Sequence, residues 1–128
     1  MLSVKKKKKT KIGVFLAIFL VGGIAHYWLS LTRVITKNYG ISFGLDGWFF
    51  IVLSIFFVVM LSIIWWKNEF RGVNVILAGG WINLIDRVVF GYVRDYWKLG
   101  SIYNNLADWM IQIGVIIFLS KIWIKKSK

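Results

Sequence analysis

The sequence predicts an all-α membrane protein of four transmembrane helices, and three observations carry that reading. Of its 128 residues 59% are hydrophobic and 18% aromatic, with a mean hydropathy of +0.70, a composition typical of integral membrane proteins. Apolar runs long enough to cross a hydrocarbon core of roughly 30 Å, which takes about 20 helical residues, occur four times. Lys and Arg gather on one side of the topology these runs imply, and that side of a membrane protein is the cytoplasmic one.

The first run extends from Ile12 to about Ile35, behind the basic stretch Lys5 to Lys11. A basic start followed by an apolar run also describes a cleaved signal peptide, but this run is long and no Ala-x-Ala-like site ends it, so it reads as an uncleaved span. The second, Trp48 to Trp66, is free of charge and carries aromatic residues at both ends, where amphipathic rings prefer the membrane interface. The third, about Gly72 to Tyr92, and the fourth, about Asn105 to Ile124, contain Asn74, Asn83, Asp86, Arg87, Asp108 and Gln112. Such segments span only if those groups face protein or water. The whole chain, 1–128, reads as a single membrane domain with no linker and no internal repeat.

Four spans put both termini on the side of the connection Lys67 to Arg71, together with twelve basic residues: Lys5 to Lys9, Lys11, Lys67, Arg71, Lys121, Lys125, Lys126 and Lys128. The other side holds Arg33, Lys37, Arg94 and Lys98. Both termini are therefore expected in the cytoplasm, and the connections 37–47 and 93–104 outside. A net charge of +12 could suggest nucleic acid, but membrane-flanking lysines answer to anionic lipid headgroups; membrane lipid is the expected partner and nucleic acid is not. The chain has no Cys, which excludes disulfides, thiolate metal sites and thiol nucleophiles.

Five acidic residues stand in the chain, and two of them, Asp95 and Asp108, fall near the outer ends of apolar segments. Positions three and four apart share a helix face, so Asn83, Asp86 and Arg87 are expected to gather on one side of the third span, and Asn105 and Asp108 at the start of the fourth. Ionisable groups in a span cost roughly 2.5 to 3.5 kcal/mol on insertion scales and are usually paired or functional. The bland alternatives are a packing ion pair for Asp86 and Arg87, and a helix-capping role for Asp108. Two carboxylates brought close cannot both ionise easily, and the helix N-terminus favours a charged Asp108, which leaves Asp95 as the expected proton holder. His26, alone in the first span, reads as a hydrogen-bonded packing histidine, and with no second His there is no metal site. Asp46 and Glu69 read as solvated loop charges. Ser30, Ser42 and Ser54 lack a His or Lys base at helical spacing, which argues against a serine protease.

Four segments in order carry a family resemblance: Lys37-Asn38-Tyr39-Gly40-Ile41-Ser42-Phe43, Asn83-Leu84-Ile85-Asp86-Arg87, Val93-Arg94-Asp95 and Asn105-Leu106-Ala107-Asp108. Together they resemble the lipoprotein signal peptidases, signal peptidase II. The resemblance implies a multi-pass aspartic endopeptidase of the bacterial cell (inner) membrane, with its active site on the extracytoplasmic side. Such an enzyme removes signal peptides from diacylglyceryl-modified prolipoproteins by cutting before the lipidated cysteine. It implies Asp95 and Asp108 as catalytic residues and Asn38, Gly40, Asn83, Asp86, Arg87 and Asn105 as substrate-binding or supporting residues. It also implies no cofactor and no metal, a lipidated prolipoprotein as partner, and a monomer. The family's outer β-cradle is expected in reduced form, because Asn38 follows the first span almost directly, and no acid stands among Leu29 to Arg33 where the family carries one. A reading from another class, a non-enzymatic pore or assembly component whose acids line a polar path, stays open on the residues alone.

Overall fold

The computed structural model describes residues 2–40, 47–67 and 71–126; Ser42, Asp46 and Glu69 lie outside them. Among the described residues are four helices, α1 (Leu2–Thr32), α2 (Gly47–Lys67), α3 (Arg71–Phe90) and α4 (Leu106–Lys126). Four strands of three residues accompany them: β1 (Thr36–Asn38), β2 (Val93–Asp95), β3 (Trp97–Leu99) and β4 (Ile102–Asn104). Each helix is long and apolar enough to cross a membrane, and the protein is a multi-pass membrane protein. Away from their ends, helices satisfy their backbone donors and acceptors internally, which lipid demands. The surface is accordingly apolar: Leu20, Val21, Ile24, Val52, Phe56, Val88 and Ile116 all stand exposed on it.

The helix α1 departs from its expected bounds at both ends. It takes in the lysine run and stops at Thr32, and at about 1.5 Å per residue its 31 residues exceed the membrane core. Lysine is a good helix former, so a helix already nucleated in the apolar run propagates through it. Lys8 and Lys11, one turn apart, lie 5.0 and 4.9 Å above the rings of Trp66 and Trp65 at the far end of α2. The basic end of α1 thus stands beside the basic end of α2.

At the centre lies α3, packed against α1, α2 and α4. Val58 and Trp65 of α2 meet Val73, Leu77 and Leu84 of α3 on one side. Ala78 and Ile82 of α3 meet Ala107 and Met110 of α4 on another. The α3–α4 seam is the tightest, because glycines let the two backbones approach. A Cβ on Gly114 would fall 2.8 Å from the Gly72 carbonyl oxygen, and one on Gly79 would fall 2.6 Å from that of Ala107.

At the end of the bundle away from the lysines, α3 stops at Gly91, whose φ of 78° and bond from its N–H to Arg87 O at 2.9 Å close the last turn. The strand β2 follows and pairs antiparallel with β1, Thr36 opposite Asp95 and Asn38 opposite Val93. The strands β3 and β4 form a hairpin turning through Gly100 and Ser101, with Gly100 at φ 62° as a tight two-residue turn requires. Among the described residues, these two small sheets are the β structure at this end of the bundle.

Candidate active site

Two polar clusters meet where β2 passes the first turn of α4. The first is built on Asn105, the residue before α4, which is fully buried together with Asp95. The Asn105 Oδ1 accepts from the Asp108 backbone N–H at 3.0 Å, and Asp108 Oδ2 accepts from the Asn105 N–H at 3.1 Å. This is a reciprocal capping box that satisfies donors the helix leaves open. The Asn105 amide is still free to act elsewhere: its Nδ2 donates to Asp95 Oδ1 at 2.8 Å and to Asn83 Oδ1 at 3.2 Å. Asn83 Nδ2 completes the ring by donating to Asp108 Oδ1 at 2.8 Å. Asp108 therefore does cap its helix, through one oxygen, while the other is held from α3.

From the outer side, Asn38 on β1 donates to Asp95 Oδ2 at 2.9 Å and accepts the Gly40 N–H at 2.9 Å. Gly40 has φ 69°, and a Cβ there would run into the Phe50 ring at 2.7 Å. Burial pushes the Asp95 carboxyl above the usual carboxylate range; the two asparagine amides and the Arg87 cation oppose that, and the nearby Asp108 charge reinforces it. Two carboxylates are thus linked through one asparagine, and burial favours the protonated form of Asp95.

The second cluster is built on Asp86. Arg94 grips it with two guanidinium nitrogens, Nη2 to Oδ1 at 2.7 Å and Nε to Oδ2 at 3.1 Å, and adds its backbone N–H at 3.0 Å. His26 Nε2 lies 3.0 Å from Asp86 Oδ2, and its Nδ1 lies 3.0 Å from the Tyr96 hydroxyl. Arg94 Nη1 donates to Ser30 Oγ at 2.8 Å, and Ser30 donates to Tyr27 O at 2.7 Å. Asp86 pairs with Arg94 and not with Arg87. The Asp86→Ala variant, which leaves a mostly buried guanidinium without its partner, is expected to lose about 3 to 5 kcal/mol, read from unfolding in detergent.

Arg87 turns instead toward α2, where Nη1 donates to Ser54 Oγ at 3.1 Å, while its buried Nε has no partner among the described residues. Arg87, Asn83 and Ser54 line a cavity of about 400 Å³ whose other walls, Phe50, Leu53, Phe57 and Ile111 among them, are apolar. The structure thus joins Asp95, Asp108, Asn105, Asn83 and Asn38, places Gly40 behind Asn38 and Arg87 on an adjoining cavity, and sets Asp86 apart. Sequence reasoning gave no functional place to His26, Ser30, Arg94 or Tyr96. The one available signal was a lone histidine inside an otherwise apolar span.

A family model described as Signal peptidase (SPase) II matches residues 2–124. The chain belongs to the signal peptidase II family. A lipoprotein signal peptidase of Thermodesulfovibrio yellowstonii is 32% identical over 142 residues, covering 91% of this chain and 95% of that protein. One of Bartonella quintana is 33% identical, with 79% of this chain and 71% of that protein covered. One of Sinorhizobium fredii is 36% identical, but there the chain spans 60% of the relative's length. A solved structure titled as a bacterial membrane enzyme determined by the in meso method at 2.3 Å resolution superposes with a TM-score of 0.72. At 23% identity it covers 93% of this chain and 90% of its own, which establishes the shared fold. Family membership makes the chain a peptidase, and the pore or assembly alternative is not favoured.

Proposed function

We propose that this chain is an aspartic endopeptidase that removes the signal peptide from diacylglyceryl-modified prolipoproteins, cutting before the lipidated cysteine, with Asp95 and Asp108 as its catalytic pair. The observation that carries the reading is Asn105, which holds Asp95 with its side-chain amide and Asp108 with its backbone N–H. Charged Asp108 takes a proton from a water that attacks the scissile carbonyl carbon, while protonated Asp95 polarises the carbonyl oxygen. As the tetrahedral intermediate collapses and the C–N bond breaks, a carboxyl delivers the proton to the departing amine of the cysteine residue. Asn83, Asn105 and Asn38 keep both carboxylates in place. The cavity beside Arg87 offers apolar walls to the substrate's lipid or signal-peptide segment.

The same reading sets the site on the extracytoplasmic side, because the lysine-bearing helix ends lie opposite to it. The chain acts as a monomer and takes no cofactor. The test is incubation of the purified chain in lipid with a lipidated prolipoprotein and its unlipidated form. Cleavage of the first in strong preference to the second supports the proposal; no cleavage of either, or vesicle leakage in its place, overturns it.

The pH profile follows from Asp95. Its raised carboxyl supplies the proton, so activity is present below its folded-state pKa and is lost as pH rises through it. Arg87 opposes the raising, so Arg87→Gln is expected to move the alkaline limb of kcat to higher pH, measured as a full pH–rate profile. A shift to lower pH would contradict the assignment.

A further inference from the structure

The hydroxyl of Tyr96 joins three elements. It accepts the Leu106 N–H at 2.9 Å and lies 3.0 Å from His26 Nδ1. Leu106 is the first residue of α4, so its N–H is one of the donors that the helix itself cannot satisfy. The neighbours on both sides matter: Tyr96 follows Asp95, and Leu106 follows Asn105. The pair Asp95-Tyr96 is thus attached to the pair Asn105-Leu106 at two adjacent points, Asn105 Nδ2 to Asp95 Oδ1 at 2.8 Å and Leu106 N to Tyr96 Oη at 2.9 Å. A third bond, Tyr96 N to Asn104 O at 3.2 Å, closes the backbone between them.

A phenol accepting from an N–H still rotates unless its own hydrogen is placed. In the neutral ring, His26 places it: Tyr96 O–H donates to Nδ1, and Nε2–H donates to Asp86 Oδ2, a direction assigned from the network. The Asp86 end is immobile because Arg94 holds both its oxygens. His26, Asp86 and Tyr96 are 2%, 1% and 8% exposed, so water does not compete, and burial raises the phenol to about 12, which keeps it a donor. The rings of His26 and Tyr96 also pack at 5.5 Å.

We propose that His26 and Tyr96 act as positioning residues, a hydrogen-bonded clamp from α1 that fixes the strand bearing Asp95 against the helix start bearing Asn105 and Asp108. The proposal rests on the reading of Asp95 and Asp108 as the catalytic pair. It gives the lone histidine of the first span a role in turnover, through Tyr96, without contact to substrate. Misplacement of reacting groups by about 1 Å costs on the order of 100-fold in rate, which sets the scale of what the clamp protects.

The test uses the full chain in lipid with a lipidated prolipoprotein. Tyr96→Phe removes one oxygen and leaves the packed ring, so the fold is retained. Its kcat is expected to fall at least tenfold with KM within twofold, and the Leu106 amide to exchange its hydrogen faster. His26→Asn is expected to lower kcat likewise, and the double variant to be no slower than the slower single one, because both break one chain of bonds. A Tyr96→Phe enzyme with the parent kcat, or losses that multiply in the double variant, overturns the clamp while the peptidase reading stands. A parent chain that cleaves nothing overturns both.

Discussion

Asp108→Asn and Asp95→Asn are each expected to reduce prolipoprotein cleavage by on the order of 10³-fold or more while the protein still inserts and folds. The two losses have different chemical origins. Asparagine at 108 keeps an oxygen for the Asn83 amide or the Asn105 N–H, so much of the capping survives, but the side chain can no longer take a proton from water. At 95 the amide keeps an acceptor for Asn38 or Asn105, but no longer carries an acidic proton to give. The replaced groups are isosteric, so the fold is retained, but each new amide turns an NH2 toward one of the two donors its carboxylate had accepted from, and unfolding free energies lowered by about 1 to 3 kcal/mol are expected. Single-turnover cleavage in lipid, normalised to folded protein, measures the effect. Either variant at parental rate would remove its residue from the catalytic pair, and a loss confined to KM would make it a binding group.

Asn105 and Asp108 were legible together because their chemistry is local in sequence, whereas Asn38 and Asp95, 57 positions apart, were brought together only by the family resemblance. Asn105 and Asp108 are three apart at a helix start, where a capping box forms whatever the rest of the fold does. Asn83, Asp86 and Arg87 were expected on one face, and the structure sends them to different elements: Asn83 to α4, Arg87 to Ser54 on α2, Asp86 to His26 on α1 and to Arg94 on β2. The reason is geometric. Helical residues step by roughly 100°, so Asp86 and Arg87 lie on opposite flanks of Asn83, a trivial separation on a helix with one neighbour. On α3, which is surrounded by three helices, it decides the partner. The His26 reading as a hydrogen-bonded packing residue matches its two bonds, but Asp86 and Tyr96 lie 60 and 70 positions away, and no spacing rule reaches that far. Strands of three residues are too short for a period of two to be told from chance. The pairing of β1 with β2 follows from where α1 and α3 end, a property of the bundle.

The small residues of α3 differ in what they permit, and substitution separates them. Gly79→Val is expected to cost folded protein and activity together, because a Cβ there would lie 2.6 Å from Ala107 O and 2.9 Å from Ile111 Cγ1. The first obstacle is backbone, which cannot rotate aside. Relief requires α4 to move away from α3, and overpacking of this kind costs roughly 1 to 3 kcal/mol, occasionally more. Gly114→Val meets the same barrier from the other helix, with Gly72 O and Ile76 N both at 2.8 Å. Gly80 is one residue from Gly79, yet its Cβ would meet only Val58 Cγ2 at 3.4 Å, so Gly80→Ala is expected to be tolerated and to gain up to about 1 kcal/mol of helix propensity. The contrast also reaches the chemistry. Ala107 precedes Asp108, so a displaced first turn of α4 stretches the 2.8 Å bond from Asn83 to Asp108 before the helices part. Whatever Gly79→Val protein does fold should therefore show a lowered kcat per molecule, whereas Gly80→Ala should not. Equal unfolding midpoints for the two variants would refute the α3–α4 contact at Gly79 as the seam that sets the site.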